Sequence, residues 1–235
     1  MTTLLFHNFP SNVIALVSDR TVDFTLGVPP LAWTEAQRQY LSAHLPREIL
    51  PIISMRQVHG DQIIEADTDI LDKHGLIEAD GIVTDRKNFP IAVRTADCLP
   101  IFIFDPQKKC IGLVHAGWKG SQQQIAAKAI KKMQDNWSCL PENLLITLGP
   151  GIRQCCYQTG DEFQEFFPRE VVVKENAFYL DLFQVNKNQL LHGGVRAENI
   201  LENFSCTCCD PRFFSYRREG LKSGRHISVM MLKGF

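Results

Sequence analysis

Between Pro51 and His115 the sequence breaks into six short apolar, β-branched runs, each bounded by turn-forming residues, and this pattern constrains the fold most. Residues 51–54, 61–65, 81–84, 91–94, 99–104 and 111–115 all read as strands. After His115 the period changes. Residues 121–137 read as a helix, because Ile125, Ala129, Met133 and Trp137 recur four apart on one stripe. Residues 143–148 form a buried strand that stops at Gly149-Pro150-Gly151, residues 160–167 and 180–191 read as helices, and 225–232 closes the chain as a strand. Upstream, a Gly27-Val28-Pro29-Pro30 loop leads to a helix start, where Thr34 as N-cap and Gln37 three later make a capping box. Ala36, Tyr40 and Leu41 give that helix an apolar face. Strands first and strands alternating with helices later predict an α/β (α+β) fold, with mixed β-sheets packed together and flanked by helices. No linker interrupts the 235 residues, so residues 1–235 are expected to form one domain.

The charge balance narrows the partners. There are 25 basic and 26 acidic side chains, so no basic surplus marks a nucleic-acid footprint. No apolar run is long enough to span a bilayer. The first twenty residues lack a basic segment followed by a long apolar one, so no secretory signal is read there. A cytoplasmic protein with reduced thiols is expected despite its eight cysteines, with no nucleic-acid or membrane partner, as a monomer or homodimer.

Three polar tips at strand edges draw attention: His59 in Gln57-Val58-His59-Gly60, Cys98 in Thr95-Ala96-Asp97-Cys98, and His115 in Val114-His115-Ala116-Gly117-Trp118. Two imidazoles and a thiolate suit Zn²⁺, and three protein ligands leave a fourth position open for water or substrate. Taken singly, each histidine is equally served by a strand-capping role, and Cys98 by core packing. Asp97, beside Cys98, is the nearest carboxylate for moving a proton or orienting a ligand histidine; the alternative is a turn-forming aspartate. Lys119, in the Gly117-to-Ser121 turn at a helix start, is a candidate phosphate contact, or else a solvated lysine on a glycine turn. Arg217, within Phe213-Phe214-Ser215-Tyr216-Arg217-Arg218, and Tyr157 are candidate substrate contacts, set against an ordinary charged strand edge. Cys155-Cys156 and Cys206-Thr207-Cys208-Cys209 invite a thiolate cluster, but their overall spacing matches no common zinc or iron–sulfur pattern. These five are expected to be packing residues.

Taken together, Gln57-Val58-His59-Gly60, Asp80-Gly81, Thr95 to Pro100, Val114 to Gly120, Leu148 to Ile152, Asp181-Leu182 and Phe213 to Arg218 occur in the order of the YfiH-like proteins. The chain resembles that family over roughly residues 52–235, so its first 50 residues are its divergent part. The family is variously called polyphenol oxidoreductase laccase, purine nucleoside phosphorylase and peptidoglycan editing factor. The resemblance implies zinc held by His59, Cys98 and His115, with catalysis centred there. It implies phosphorolysis of adenosine, inosine and methylthioadenosine to base plus ribose 1-phosphate, and deamination of adenosine. Zinc that brings the pKa of water toward neutrality suits attack at C6 of adenine. The alternatives are a zinc amidase editing peptidoglycan precursors and a Cu²⁺-loaded polyphenol oxidase. A four-copper laccase is not expected, since it needs His-x-His pairs and none occurs among the 7 histidines. Two departures bear on the pocket. The family's Gly-Gly-Val-Ser and Ser-Leu-Asn-Leu segments near the N-terminus are absent, and Gln158 stands where the family usually has glutamate.

Overall fold

A computed structural model describes residues 3–25, 33–46, 51–67 and 77–234. The expected loop at residues 27–30 lies outside the described residues.

Two sheets make the body. A five-stranded sheet has the order β1 (Leu4–Leu5), β2 (Val13–Val17), β14 (His226–Leu232), β6 (Ile91–Thr95), β3 (Ile53–Ser54). A six-stranded sheet has the order β13 (Ile200–Glu202), β9 (Leu145–Leu148), β7 (Leu99–Asp105), β8 (Cys110–Ala116), β5 (Gly81–Thr84), β4 (Ile63–Glu65). A small sheet of β10 (Gln158–Thr159), β12 (Ala177–Leu180) and β11 (Val171–Lys174) stands apart. Parallel pairs, β3 with β6 and β13 with β9, accompany antiparallel ones, so the sheets are mixed. The expected single domain of packed mixed sheets is what forms.

Period-two side-chain alternation sorts the layers. On β7 and β8, Phe102, Phe104, Ile111 and Leu113 join Ile91, Val93 and Met230 in the core between the two sheets. Their neighbours Leu99, Ile101, Ile103, Val114 and Ala116 face the other way, onto Ile125, Ala129, Ile130 and Met133 of α3 (Ile125–Trp137) and Leu190 of α5 (Leu182–His192). The outer face of the five-stranded sheet, through Leu16, Ala92, Ile227 and Val229, packs on Tyr40 and Leu41 of α1 (Glu35–His44). The result is four layers: helix, sheet, sheet, helices. With both faces covered, β7 and β8 are buried along their whole length, which explains their unbroken apolar runs.

The helices depart from expectation in two places. The predicted helix over 121–137 divides into α2 (Trp118–Gln122) and α3 at Gln124, which takes a left-handed φ of 63°. The break leaves the Ser121 carbonyl to accept from the Gln189 amide of α5, a tertiary competitor no local pattern reveals. The predicted helix over 160–167 shrinks to α4 (Phe163–Phe166), and the Gln158–Thr159 segment before it pairs with β12. Residues 216–219 form a one-turn helix, α6 (Tyr216–Glu219), in place of a strand edge. Among the described residues, no helix is long and apolar enough to cross a membrane.

The capping box forms as expected. The Gln37 backbone N–H donates to Thr34 Oγ1, and Gln37 Oε1 accepts from the Thr34 backbone N–H at 2.8 Å. Thr34→Ala should lower the unfolding free energy by about 1 kcal/mol, read as a lower denaturant midpoint with an unchanged slope.

Candidate metal centre

The site forms where the chain passes from one sheet to the other. His59 lies between β3 of the five-stranded sheet and β4 of the six-stranded one. Cys98 ends the turn that joins β6 of the first sheet to β7 of the second, and His115 is the penultimate residue of β8. Their ligand atoms all lie within 4.8 Å of one another. The two imidazoles meet edge to face, with ring centroids 4.8 Å apart. His115 is buried, Cys98 half-buried and His59 exposed, so the trio opens to solvent on one side.

Asp80, quoted in the sequence motif without a role, organises the trio. Its Oδ1 lies 2.7 Å from His115 Nδ1, which leaves Nε2 as the nitrogen free to bind. The same carboxylate accepts the backbone N–H groups of Val58, His59 and Gly60 at 3.1, 3.0 and 2.7 Å. A left-handed φ of 59° at His59 lets these N–H groups converge. Gln57 braces the same turn against β6: its amide donates to the Arg94 carbonyl and accepts from the Arg94 N–H, each at 2.8 Å. Burial alone would raise the Asp80 pKa, but His115 and the donated N–H groups hold it below the ordinary value.

Two glycines allow the close packing. A Cβ on Gly117 would come within 3.2 Å of both Cys98 Sγ and His59 Cδ2, and one on Gly120 would sit 2.6 Å from the Gly60 carbonyl. The turn after His115 is therefore glycine-rich to admit the ligands and the His59 turn. Burial would raise the Cys98 thiol pKa, but the His115 and His59 imidazoles beside it pull it down, favouring the thiolate that binds metal. Two imidazole nitrogens and one ready thiolate fit a zinc-type ion, with a carboxylate partner holding the His115 tautomer.

The other predicted residues surround this centre in different roles. Asp97, with a left-handed φ of 84°, has both oxygens engaged: Oδ1 accepts from Thr207 Oγ1 at 2.7 Å, and Oδ2 from Ser215 Oγ at 3.1 Å and the Arg217 N–H at 2.6 Å. Arg217 donates from its guanidinium to the carbonyls of Cys156 and Gln158, both at 2.9 Å, and lies 5.4 Å from the Tyr157 ring. Burial raises the Tyr157 phenol, and the nearby Cys98 charge raises it further. Lys119 is exposed, with its Nζ 5.6 Å from the Trp118 ring, and Gln158 is exposed on β10. The expectation that Cys155, Cys156, Cys206, Cys208 and Cys209 are packing residues holds for the buried Cys206 and fails for the exposed Cys155 and Cys209. Cys155 and Cys209 are exposed, and the sulfurs of Cys155, Cys156, Cys206 and Cys209 converge within 4.8 Å. Cys206 and Cys209 form a Cys-x-x-Cys pair, the sequence signal that could have found them.

Asp80→Asn tests the organiser. An amide retains one acceptor oxygen but not the charge that His115 and three N–H groups share. Zinc affinity, measured by competition with a chelator, should fall about 10–100-fold.

The family model described as multi-copper polyphenol oxidoreductase laccase matches residues 32–233. A purine nucleoside phosphorylase from Aquifex aeolicus is 34% identical over 177 residues, covering 75% of this chain and 81% of that protein. An adenosine deaminase, RL5, from an unknown prokaryotic organism is 32% identical over 212 residues, 83% of this chain and 80% of the other. The crystal structure of the Bacillus licheniformis hypothetical protein YfiH superposes with a TM-score of 0.87 at 26% identity, covering 99% of this chain and 97% of that one. With a match that runs over most of its length, and the same fold as YfiH, the chain belongs to the multi-copper polyphenol oxidoreductase laccase family, the YfiH family.

Proposed function

We propose that this protein is a zinc-dependent enzyme of purine nucleosides. It phosphorolyses adenosine and inosine to the free base and ribose 1-phosphate, and methylthioadenosine to adenine and methylthioribose 1-phosphate, and it deaminates adenosine hydrolytically. One observation carries the reading: a three-ligand His59–Cys98–His115 centre with an open side, held by Asp80. Relatives of this chain that carry the names purine nucleoside phosphorylase and adenosine deaminase support it.

When bound, the ion supplies Lewis acidity and brings the pKa of water toward neutrality at its fourth position. The chain's own residues do the rest. Asp80 fixes the His115 proton on Nδ1 and, through the three N–H groups it accepts, fixes the turn that carries His59. Tyr157 stays protonated at neutral pH and offers a hydrogen-bond donor near Cys98. Lys119, exposed at the start of α2, supplies the positive charge for phosphate. Asp97, expected as a proton carrier, serves instead as a positioning residue, because its oxygens already hold Thr207, Ser215 and the Arg217 backbone. Arg217 likewise positions the Tyr157 segment, having committed its guanidinium to two backbone carbonyls.

The oxidase sense of the family's description has less support. Among the described residues, only one of the two groups able to hold a metal contains histidine, whereas a multicopper oxidase needs several imidazole-rich sites. Among the described residues, copper bound at the His59–Cys98–His115 centre is the route to phenol oxidation that the histidines allow.

Incubation of the zinc-loaded protein with adenosine and with inosine, with and without phosphate, tests the proposal. Expected are phosphate-dependent release of adenine and hypoxanthine and phosphate-independent formation of inosine from adenosine. No turnover of either nucleoside, together with release of an amino acid from a peptidoglycan precursor, would replace the reading with the amidase one. Cys98→Ala should abolish both nucleoside reactions and lose zinc while the protein stays folded by circular dichroism. Lys119→Ala should weaken phosphorolysis by about 1.5–3 kcal/mol, the scale of one charge-assisted contact, and spare deamination. Equal losses in the two reactions would instead place Lys119 in the nucleoside pocket or the fold.

A further inference from the structure

Outside the centre above, one cluster stands out. Cys155 and Cys156, on the turn after β9, face Cys206 and Cys209 on the loop after β13. Cys209 Sγ lies 3.6 Å from Cys155 Sγ and 3.2 Å from Cys156 Sγ, and all four sulfurs fall within 4.8 Å of one another. We propose that these four thiols form a second metal site, a closed four-thiolate cage for a single zinc-class cation.

The spacing supports one ion. Four sulfurs at the usual zinc–sulfur distance of about 2.3 Å stand about 3.8 Å apart at the corners of a tetrahedron. An iron–sulfur cluster would push the thiolates apart with its several irons and sulfides. A disulfide, with sulfurs about 2.05 Å apart, would consume two thiols and explain neither the third nor the fourth.

The surroundings suit thiolates. Cys206-Thr207-Cys208-Cys209 is a Cys-x-x-Cys turn, with the Asp210 N–H donating to the Cys206 carbonyl at 2.9 Å. The backbone N–H of Arg153 donates to the Cys206 sulfur at 3.4 Å. N–H donors aimed at sulfur stabilise its charged form. A four-thiolate site with a divalent ion carries two net negative charges, and cations flank it. Arg217 donates to the Cys156 carbonyl, and Arg218, which also pairs with Glu219, donates to the carbonyls of Thr207 and Cys208. Four protein ligands leave no position for substrate, so this ion braces structure. It ties the segment leading to Tyr157 to the loop that Thr207 fastens to Asp97, and so it holds two walls beside Cys98.

The site is independent of the proposed reaction and is tested by metal content. Protein isolated under reducing conditions and supplied with Zn²⁺ alone should hold two zinc ions per chain. Cys98→Ser should keep one, and Co²⁺ in its place should show the intense charge-transfer bands of a tetrahedral thiolate site. Cys155→Ser combined with Cys209→Ser should keep the ion at the His59 centre and lose those bands. On the unmutated chain, zinc should protect Cys155, Cys156 and Cys209 from alkylation, and a chelator should expose them while Cys208 reacts in both states. This last measurement decides the matter even where the double variant does not fold. One zinc per chain that vanishes in Cys98→Ser, alkylation indifferent to zinc, or a Cys156–Cys209 disulfide found by mass spectrometry would each overturn the proposal.

Discussion

The buried carboxylate of Asp80 is the contact on which the site depends. A charge with no exposed surface is costly unless its lone pairs are filled, and here one imidazole and three backbone N–H groups fill them. That requirement does structural and chemical work together. The carboxylate cannot satisfy itself without drawing the His59 turn onto the edge of the six-stranded sheet, and in doing so it sets the tautomer of His115. The Asp80 carbonyl also accepts the His115 N–H at 2.7 Å, so the two residues are tied through backbone and side chain. Removing the carboxylate would loosen one ligand directly and a second through its turn.

Asp97 repeats the device on the opposite side. Its carboxylate gathers Thr207, Ser215 and the Arg217 N–H, and so carries the C-terminal loops to the turn that bears Cys98. Both arrangements require residues in a left-handed backbone, His59 at one and Asp97 itself at the other. Such a conformation costs a non-glycine residue of order 1 kcal/mol and survives where several hydrogen bonds over-determine it. At these two of the described positive-φ residues the backbone bends sharply while the ligand side chain is held in place.

Much of this was legible in the residues, and the illegible part has a common cause. The strands at 81–84, 91–95, 99–105 and 110–116 were readable because burial on both faces writes an unbroken apolar run. The capping box was readable because its partners are three residues apart. The three metal ligands were visible only as a set, through their motifs, since each alone equally suits a strand end. Asp80 is invisible as an organiser in the sequence because its partners lie 20 to 35 residues away and meet only when β4, β5 and β8 pair within the six-stranded sheet. The break at Gln124 was hidden for the same reason, since the groups that exploit it are on α5. The cysteine cluster differs in kind. Half of it is written locally, as Cys206-x-x-Cys209, a pair the sequence reading passes over, and the other half, Cys155 and Cys156, comes from about 50 residues upstream, so the whole matches no common pattern.

The passage of the chain between sheets explains why a centre arises here at all. A strand interior buries its side chains against a neighbour and leaves no room for a ligand atom to reach solvent. A strand end at a sheet edge offers that room but usually carries a mobile loop. Here β6 and β7 belong to different sheets and are joined by only Ala96, Asp97 and Cys98, so the connecting turn is as rigid as the strands it joins. Cys98 is therefore held at the seam with His115 on the adjacent strand, since Leu99 pairs with Ala116 and Pro100 with His115. His59 reaches the same seam from the other crossing, between β3 and β4, where Asp80 catches it. Two crossings and one strand end converge because the sheets stack. The ligand geometry thus follows from the packing of Phe102, Phe104, Leu113 and Met230 between the layers, and a change that slid the sheets would reach the metal centre without touching a ligand.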